Sequence, residues 1–213
     1  MEGPNAGRFI ARIARSCMPD RTIFQSLSAI LTPDGNLPLF NLTIHVKTYI
    51  MIDNIVTVNE NQGQSLSVVG DAYRIIISGK QTQGAYAVID MLVPPGGGPG
   101  PHSHAEIEEL FYVVEGELEF NTEAGKYTAR KGSFVNIPKG GEVHCFKNSS
   151  QTVAHLLCTV IPAGLDAFFE EIGTPVEAGV FLPPPVLKEE DLKKLQAIAE
   201  KHGQKLYPPD YLG

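Results

Sequence analysis

Short runs in which apolar and polar residues alternate follow one another between residues 66 and 161 of the chain. These runs are rich in β-branched and aromatic residues, and Gly, Pro, Asp and Asn separate them, as is typical of short strands joined by turns. The predicted strands cover residues 66–69, 73–78, 85–93, 107–114, 117–121, 127–130, 133–137, 143–147 and 153–161. Many short strands at this spacing favour an all-β domain. We predict a β-sandwich or barrel, and a small double-sheet jelly roll would leave room for a ligand between its inner faces.

Helical spacing replaces the alternation only behind the last predicted strand. Apolar residues then repeat at intervals of three and four, which predicts a helix; they are Leu165, Phe168, Phe169 and Ile172. A second helical pattern follows a Pro-rich linker and covers residues 188–201. We therefore divide the chain into an N-terminal extension at residues 1–50, the barrel at residues 51–175, and a linker with a C-terminal helix at residues 176–213.

The N-terminal extension differs in composition from the rest of the chain. It carries five basic residues and three acidic ones, whereas the remainder is strongly acidic. It lacks the continuous apolar core of a secretory signal. We expect a poorly ordered extension or an upstream start, rather than a targeting segment.

Charge and cysteine content exclude several classes of function. The formal net charge is −7 and the charged residues are spread out, so no basic stripe indicates binding to nucleic acid or to anionic membranes. No apolar run approaches the roughly 20 residues of a membrane helix. Cys17, Cys145 and Cys158 are odd in number and lack zinc-ligand spacing, which favours a reducing, cytoplasmic setting.

Two segments carry the residues with the most distinctive chemistry. His102 and His104 follow a Gly/Pro-rich loop, Glu109 begins an apolar run, and His144 lies in a second patterned segment. Residues two apart on a strand share a face, so a His-x-His pair directs both imidazoles to one side. A lone pair of this kind is more often a pair of surface residues, but Glu109 and His144 complete a ligand set. Three imidazoles and one carboxylate suit a divalent transition metal: Fe, Mn, Co, Ni, Cu or Zn.

The same two segments resemble the motifs of the cupin family. The spacing Gly96-x5-His102-x-His104-x4-Glu109-x6-Gly116 resembles the first motif. The spacing Gly132-x5-Pro138-x-Gly140-x3-His144-x3-Asn148 is similar to the second, with one residue more before the histidine. The resemblance implies a single cupin barrel, which is a double-stranded β-helix or jelly-roll barrel, together with a small-molecule substrate and often a homodimer. It also implies that the four residues hold the metal and that Glu109 acts in addition as the catalytic base.

Within this family the chain looks most like the single-barrel quercetin-dioxygenase-like proteins of bacteria, which implies a dioxygenase that uses dioxygen on an aromatic or enolic substrate. Strand parity predicts an apolar lining for the site, although core packing explains the same residues equally well: Phe111, Val113, Phe120, Phe134 and Phe146. One alternative is a non-redox isomerase, lyase or decarboxylase acting on a small sugar or acid. The other is a small-molecule-binding module without catalysis.

Overall fold

The computed structural model describes residues 55–213, so the predicted extension at residues 1–50 lies outside the described residues, as does Cys17. The described part contains twelve strands and two helices. In chain order these are β1 (Gln64–Val68), β2 (Asp71–Ile77), β3 (Ala87–Val93), β4 (His102–His104), β5 (Glu108–Glu115), β6 (Glu117–Thr122), β7 (Gly125–Arg130), β8 (Phe134–Ile137), β9 (His144–Lys147), β10 (Ala154–Ile161), α1 (Leu165–Ile172), β11 (Thr174–Pro175), α2 (Glu189–Lys201) and β12 (Gln204–Leu206).

The strands form two antiparallel sheets. The larger sheet has the order β11-β1-β2-β3-β10-β5-β8, and the smaller has the order β12-β4-β9-β6-β7. Neighbours in space are often distant in sequence, such as β3 beside β10 and β4 beside β9. The predicted all-β class is confirmed, and two antiparallel sheets with these long-range crossovers are compatible with a jelly roll.

The core lies between the two sheets and follows from the alternation in the sequence. On β10, every second residue from Ala154 to Val160 is fully buried, and the residues between them are half-buried. β3 shows the same alternation from Ala87 to Val93. Burying a large apolar side chain contributes about 1.5–3 kcal/mol, so these inward rows stabilise the pairing of the central strands and fix its register.

Helix α2 and strand β12 extend the core at the C-terminal end of the chain. Both predicted helices are present at the predicted positions. On α2, Ala199 is fully buried, and Leu195 and Ile198 pack against the core cluster. The short strand β12 was not predicted, and it pairs with β4, the strand that carries His102 and His104. Neither helix of residues 55–213 is long and apolar enough to cross a membrane.

Candidate metal centre

The four candidate ligands come from three strands and from both sheets. β4 carries His102 and His104 on one face, and β9 carries His144 directly opposite His102 in the register. Glu109 lies on β5 of the facing sheet. The three imidazoles of the smaller sheet therefore meet one carboxylate of the larger sheet in the space between them.

The ligand atoms are close together and shielded from solvent. Oε2 of Glu109 lies 2.9 Å from Nε2 of His104 and 3.1 Å from Nε2 of His144. One ligand atom from each of the four residues lies within 4.8 Å of all the others. The exposed fractions are 8% for His102, 2% for His104, 3% for Glu109 and 1% for His144. The predicted residues thus form one buried cluster that is able to bind a metal ion.

Backbone carbonyls set the orientation of each imidazole. In each ring Nδ1 donates to a backbone carbonyl oxygen at 2.8–2.9 Å. The accepting carbonyl belongs to Gly100 for His102, to Ile107 for His104 and to Glu142 for His144. A carbonyl oxygen only accepts, so these contacts assign the proton to Nδ1 in all three rings. Each Nε2 then presents a lone pair toward the centre, which is the usual arrangement of metal-binding histidines.

The chemistry of this donor set fits a metal cation. Lone pairs on two imidazole nitrogens would repel the carboxylate oxygen at about 3 Å unless a cation lies among them. Two ligand atoms that each lie about 2.1 Å from an ion, at right angles to one another, are ~3.0 Å apart. The separations of Oε2 of Glu109 from Nε2 of His104 and of His144 match this value. The cluster therefore has the charge and spacing that a divalent transition metal requires.

The Glu109 carboxylate is the charged group of the cluster. Burial raises the pKa of Glu109, but the neighbouring imidazoles of His104 and His144 outweigh it and hold the pKa well below its usual range. Burial and the neighbouring His144 lower the pKa of His102 to about 4. Burial alone would lower the pKa of His104, yet the Glu109 carboxylate raises it. At neutral pH the centre therefore offers an ionised carboxylate and a neutral His102.

Cys158 contacts the other oxygen of the same carboxylate. Its buried thiol donates to Oε1 of Glu109 at 3.8 Å, while Oε2 faces the histidines. Burial and the nearby Glu109 raise the pKa of this thiol well above its usual range, so it stays protonated. Sequence reasoning treated Cys158 only as one of three unpaired cysteines, because its proximity to Glu109 depends on the pairing of β5 with β10.

The Gly-rich loop before His102 is held on one side by Asn148, a residue of the second motif, and on the other by Asp71, which sequence reasoning missed. Gly96 N–H donates to the carbonyl of Asn148, and Asn148 N–H donates to the carbonyl of Gly97, which ties the loop to the chain just after β9. On the other side, the buried carboxylate of Asp71 accepts from Gly98 N–H at 3.3 Å and from the hydroxyl of Tyr73 at 3.1 Å. No motif indicated Asp71, since only the folded chain brings it to the loop.

Asp71 makes stability depend on pH, with a sign that can be tested. Burial raises its pKa from 3.8 to about 7, although hydrogen bonds from Tyr73 and Gly98 oppose the shift. The folded protein therefore binds the proton of the Asp71 carboxyl more tightly than the unfolded chain does. The contribution of protonated Asp71 to stability is fully present below about pH 4 and is lost as the pH rises through 7. The limiting slope is about 1.4 kcal/mol per pH unit.

We expect Asp71→Asn to remove this slope, because the amide has the same shape and does not ionise. Melting temperatures of both proteins from pH 4 to pH 8 should therefore differ progressively, with the variant gaining relative to the unchanged chain at the alkaline end. A difference between the two melting temperatures that is constant over this range would contradict the assignment.

Most of the predicted apolar lining is buried, but one member is elsewhere. The rings of Phe111, Phe120 and Phe146 form a cluster with centroids 5.4–5.6 Å apart. Val113 is fully buried on the same face of β5 as Phe111. Phe134, in contrast, is 63% exposed. It pairs with Tyr112 in the register of β8 with β5, so it lies on the outer face, opposite to Phe111.

Comparisons with known proteins agree with the motifs. A family model described as "Cupin domain" matches residues 89–160, which include all four clustered residues. Quercetin 2,3-dioxygenase of Bacillus subtilis is 26% identical over 120 residues, 56% of this chain and 35% of the relative. Germin-like protein subfamily 2 member 2 of Arabidopsis thaliana is 35% identical over 119 residues, 53% of this chain and 50% of the relative. The chain thus spans half or less of the length of these curated relatives.

The chain also matches solved structures that are more distant in sequence. KdgF from Halomonas sp. matches 54% of this chain and 99% of its own, with 16% identity and a TM-score of 0.47. A sugar phosphate isomerase from Silicibacter pomeroyi, described as a member of the cupin superfamily, matches 51% of this chain and 77% of its own, with 20% identity and a TM-score of 0.44.

Proposed function

We propose that this protein, whose residues 89–160 match a cupin domain, is a metal-dependent dioxygenase acting on a small aromatic or enolic substrate. The observation that carries the proposal is the convergence of three Nε2 atoms and one ionised carboxylate between the sheets. Four protein ligands leave up to two positions open on an octahedral ion, which is what a catalytic site requires. The similarity to a quercetin 2,3-dioxygenase supports this choice among the chemistries that the fold hosts.

Each residue of the centre has a defined task in this proposal. His102, His104 and His144 would hold the metal through Nε2, and the carbonyls behind them keep the rings in place. A bound transition metal supplies Lewis acidity toward a substrate oxygen and, if redox-active, a path for electrons to dioxygen. Glu109 would be the fourth ligand, and its ionised carboxylate would also accept the proton of a substrate hydroxyl that the metal makes more acidic.

The surroundings of the centre suit an apolar substrate that bears oxygen. The aromatic cluster of Phe111, Phe120 and Phe146 lies within the core. Phe111 is on β5 with Glu109, Phe146 is on β9 with His144, and Phe120 is on the neighbouring strand β6. Apolar walls exclude water from the centre and strengthen the electrostatic interactions inside it. The same walls offer few partners to the many hydroxyl groups of a sugar.

The metal content of protein purified without added metal, in the absence of oxygen, tests this proposal directly. Stoichiometric iron, manganese, cobalt, nickel or copper, with oxygen uptake on addition of flavonols or other enols, would support a dioxygenase. Stoichiometric zinc without oxygen uptake would favour a non-redox isomerase, lyase or decarboxylase. Absence of metal even after reconstitution would overturn the catalytic proposal and leave a binding module.

We expect Glu109→Gln to slow turnover at least ~100-fold, because a general base contributes about 10²–10⁴-fold to the rate. Glu108→Gln is the matched control, since Glu108 is the neighbouring residue on β5 and faces the other side of the sheet. The rate per bound metal ion, measured by oxygen uptake, separates loss of the base from loss of the ion. Equal rates per metal ion in the two variants would contradict the role of Glu109 as base.

A further inference from the structure

The C-terminal strand β12 places a polar side chain on the face of the metal centre. β12 pairs antiparallel with β4, with Gln204 opposite His104 and Leu206 opposite His102. Directly paired residues of an antiparallel sheet share a face, and their Cβ atoms are about 4.5–5.5 Å apart. Gln204 therefore lies on the same face as His104, immediately beside it.

The burial of the neighbouring residues agrees with this orientation. Lys205, between the two inward positions, is exposed, and Leu206 packs against the core. Tyr207 N–H donates to the carbonyl of Pro101 at 2.9 Å, which fixes the end of the strand next to the His-x-His segment. Gly203, with φ of 75°, makes the turn from α2 into β12. The position of Gln204 is thus set by the turn at Gly203 before it and by the backbone hydrogen bond of Tyr207 after it.

The carboxamide of Gln204 has a buried donor without a partner. The residue is only 5% exposed, and its Nε2 makes no hydrogen bond to any group of residues 55–213. Within residues 55–213 one other buried side-chain polar atom lacks a partner, Oδ1 of Asn121. Asn121 pairs with Cys145, on the face of the smaller sheet opposite to Phe120 and Phe146. Among the described residues, Gln204 is thus the one that has an unpaired buried group on the face that carries the histidines.

An unpaired buried donor costs about 1–3 kcal/mol, so such groups in folded proteins call for an explanation. A leucine at this position would keep the packing and remove the cost. A ligand with an acceptor oxygen at the centre would satisfy the carboxamide, and it would contact His104 and Gln204 together. The unpaired donor is therefore explained if the centre receives such a ligand.

We propose that Gln204 is a substrate-orienting residue that donates from Nε2 to a second oxygen of the molecule bound at the centre. The inference rests on the proposed function and narrows its substrate class to compounds with two neighbouring oxygens, such as α-hydroxyketones, enediols and catechols. One oxygen faces the metal ligands, and the other accepts the hydrogen bond from Gln204. Selectivity for such compounds follows, because a buried donor left unpaired disfavours analogues that lack the second oxygen.

The test compares two probes, 4-nitrocatechol with two neighbouring oxygens and 4-nitrophenol with one, titrated into metal-loaded protein and followed by absorbance. In Gln204→Leu we expect affinity for 4-nitrocatechol to fall about 10- to 100-fold, while affinity for 4-nitrophenol and metal content stay unchanged. The melting temperature should be equal or higher, since an unpaired donor is removed. Gln204→Met, which keeps the chain length, should behave in the same way, and Lys205→Ala is the matched control on the exposed face.

Two results would overturn the inference while the proposed function stands. One is unchanged affinity for 4-nitrocatechol in both Gln204 variants at normal metal content. The other is an equal loss of affinity for both probes, which would indicate a structural role. An unchanged chain that holds no metal would overturn the proposed function, and the inference with it.

Discussion

Replacing His102 with alanine is expected to remove most of the bound metal while the protein remains folded. His102 supplies one of only three imidazoles, and its lowered pKa makes it a neutral donor at physiological pH. Mutation of a residue that only hydrogen-bonds to a metal ligand already lowers metal affinity about 10- to 100-fold. Loss of a ligand itself should therefore weaken metal binding by ~100-fold or more. The fold should persist, because the apolar rows of β3 and β10 do not involve this side chain.

The measurement is metal content after dialysis against a chelator, with circular dichroism and melting temperature recorded on the same samples. His155→Ala is the matched control, since His155 lies on β10 and pairs with Asp90 outside the cluster. Full metal occupancy in His102→Ala would disprove the assignment of this residue. Loss of metal in both variants would show that the effect is not specific to the cluster.

The cluster of His102, His104, Glu109 and His144 could be predicted from the sequence, in part from local spacing and in part from the resemblance to the two cupin motifs. His102 and His104 share a face through the two-residue period of a strand, and the apolar run after Glu109 indicated a strand start. The central strands and both helices were likewise visible in periodicity. These features depend on neighbours in the chain, which a pattern can show.

The remaining features depend on contacts between distant segments. β12 is three residues long, too short for an alternating pattern, and its place is set by pairing with β4. Phe134 was assigned to the inside by parity within its own strand, but the register of β8 with β5 decides its face. Asp71 reaches the Gly-rich loop, and Cys158 reaches Glu109, only in the folded chain. No sequence pattern contained that information.

Replacing Gly98 with alanine is expected to destabilise the protein and to weaken metal binding together. Gly98 has φ of 121°, and an added Cβ would lie 2.1 Å from the carbonyl oxygen of Phe146, a backbone atom two residues after His144. A left-handed backbone costs about 1–2 kcal/mol and overpacking costs about 1–3 kcal/mol, so we expect a loss of about 2–5 kcal/mol in the free energy of unfolding. The loop would have to move away from β9, and it leads directly into His102.

Gly100→Ala is the matched control for this prediction, because Gly100 lies in the same loop and an added Cβ there would meet nothing within 4 Å. The carbonyl that accepts from Nδ1 of His102 is kept in that variant. Urea unfolding and a chelator titration of both variants should therefore show a stable, metal-binding Gly100→Ala and a Gly98→Ala impaired in both properties. If the two variants are equally stable, the close approach of the loop to Phe146 does not hold the histidines in place. If Gly98→Ala loses stability but keeps its metal affinity, the loop contributes to folding and the carbonyl contacts alone position the imidazoles.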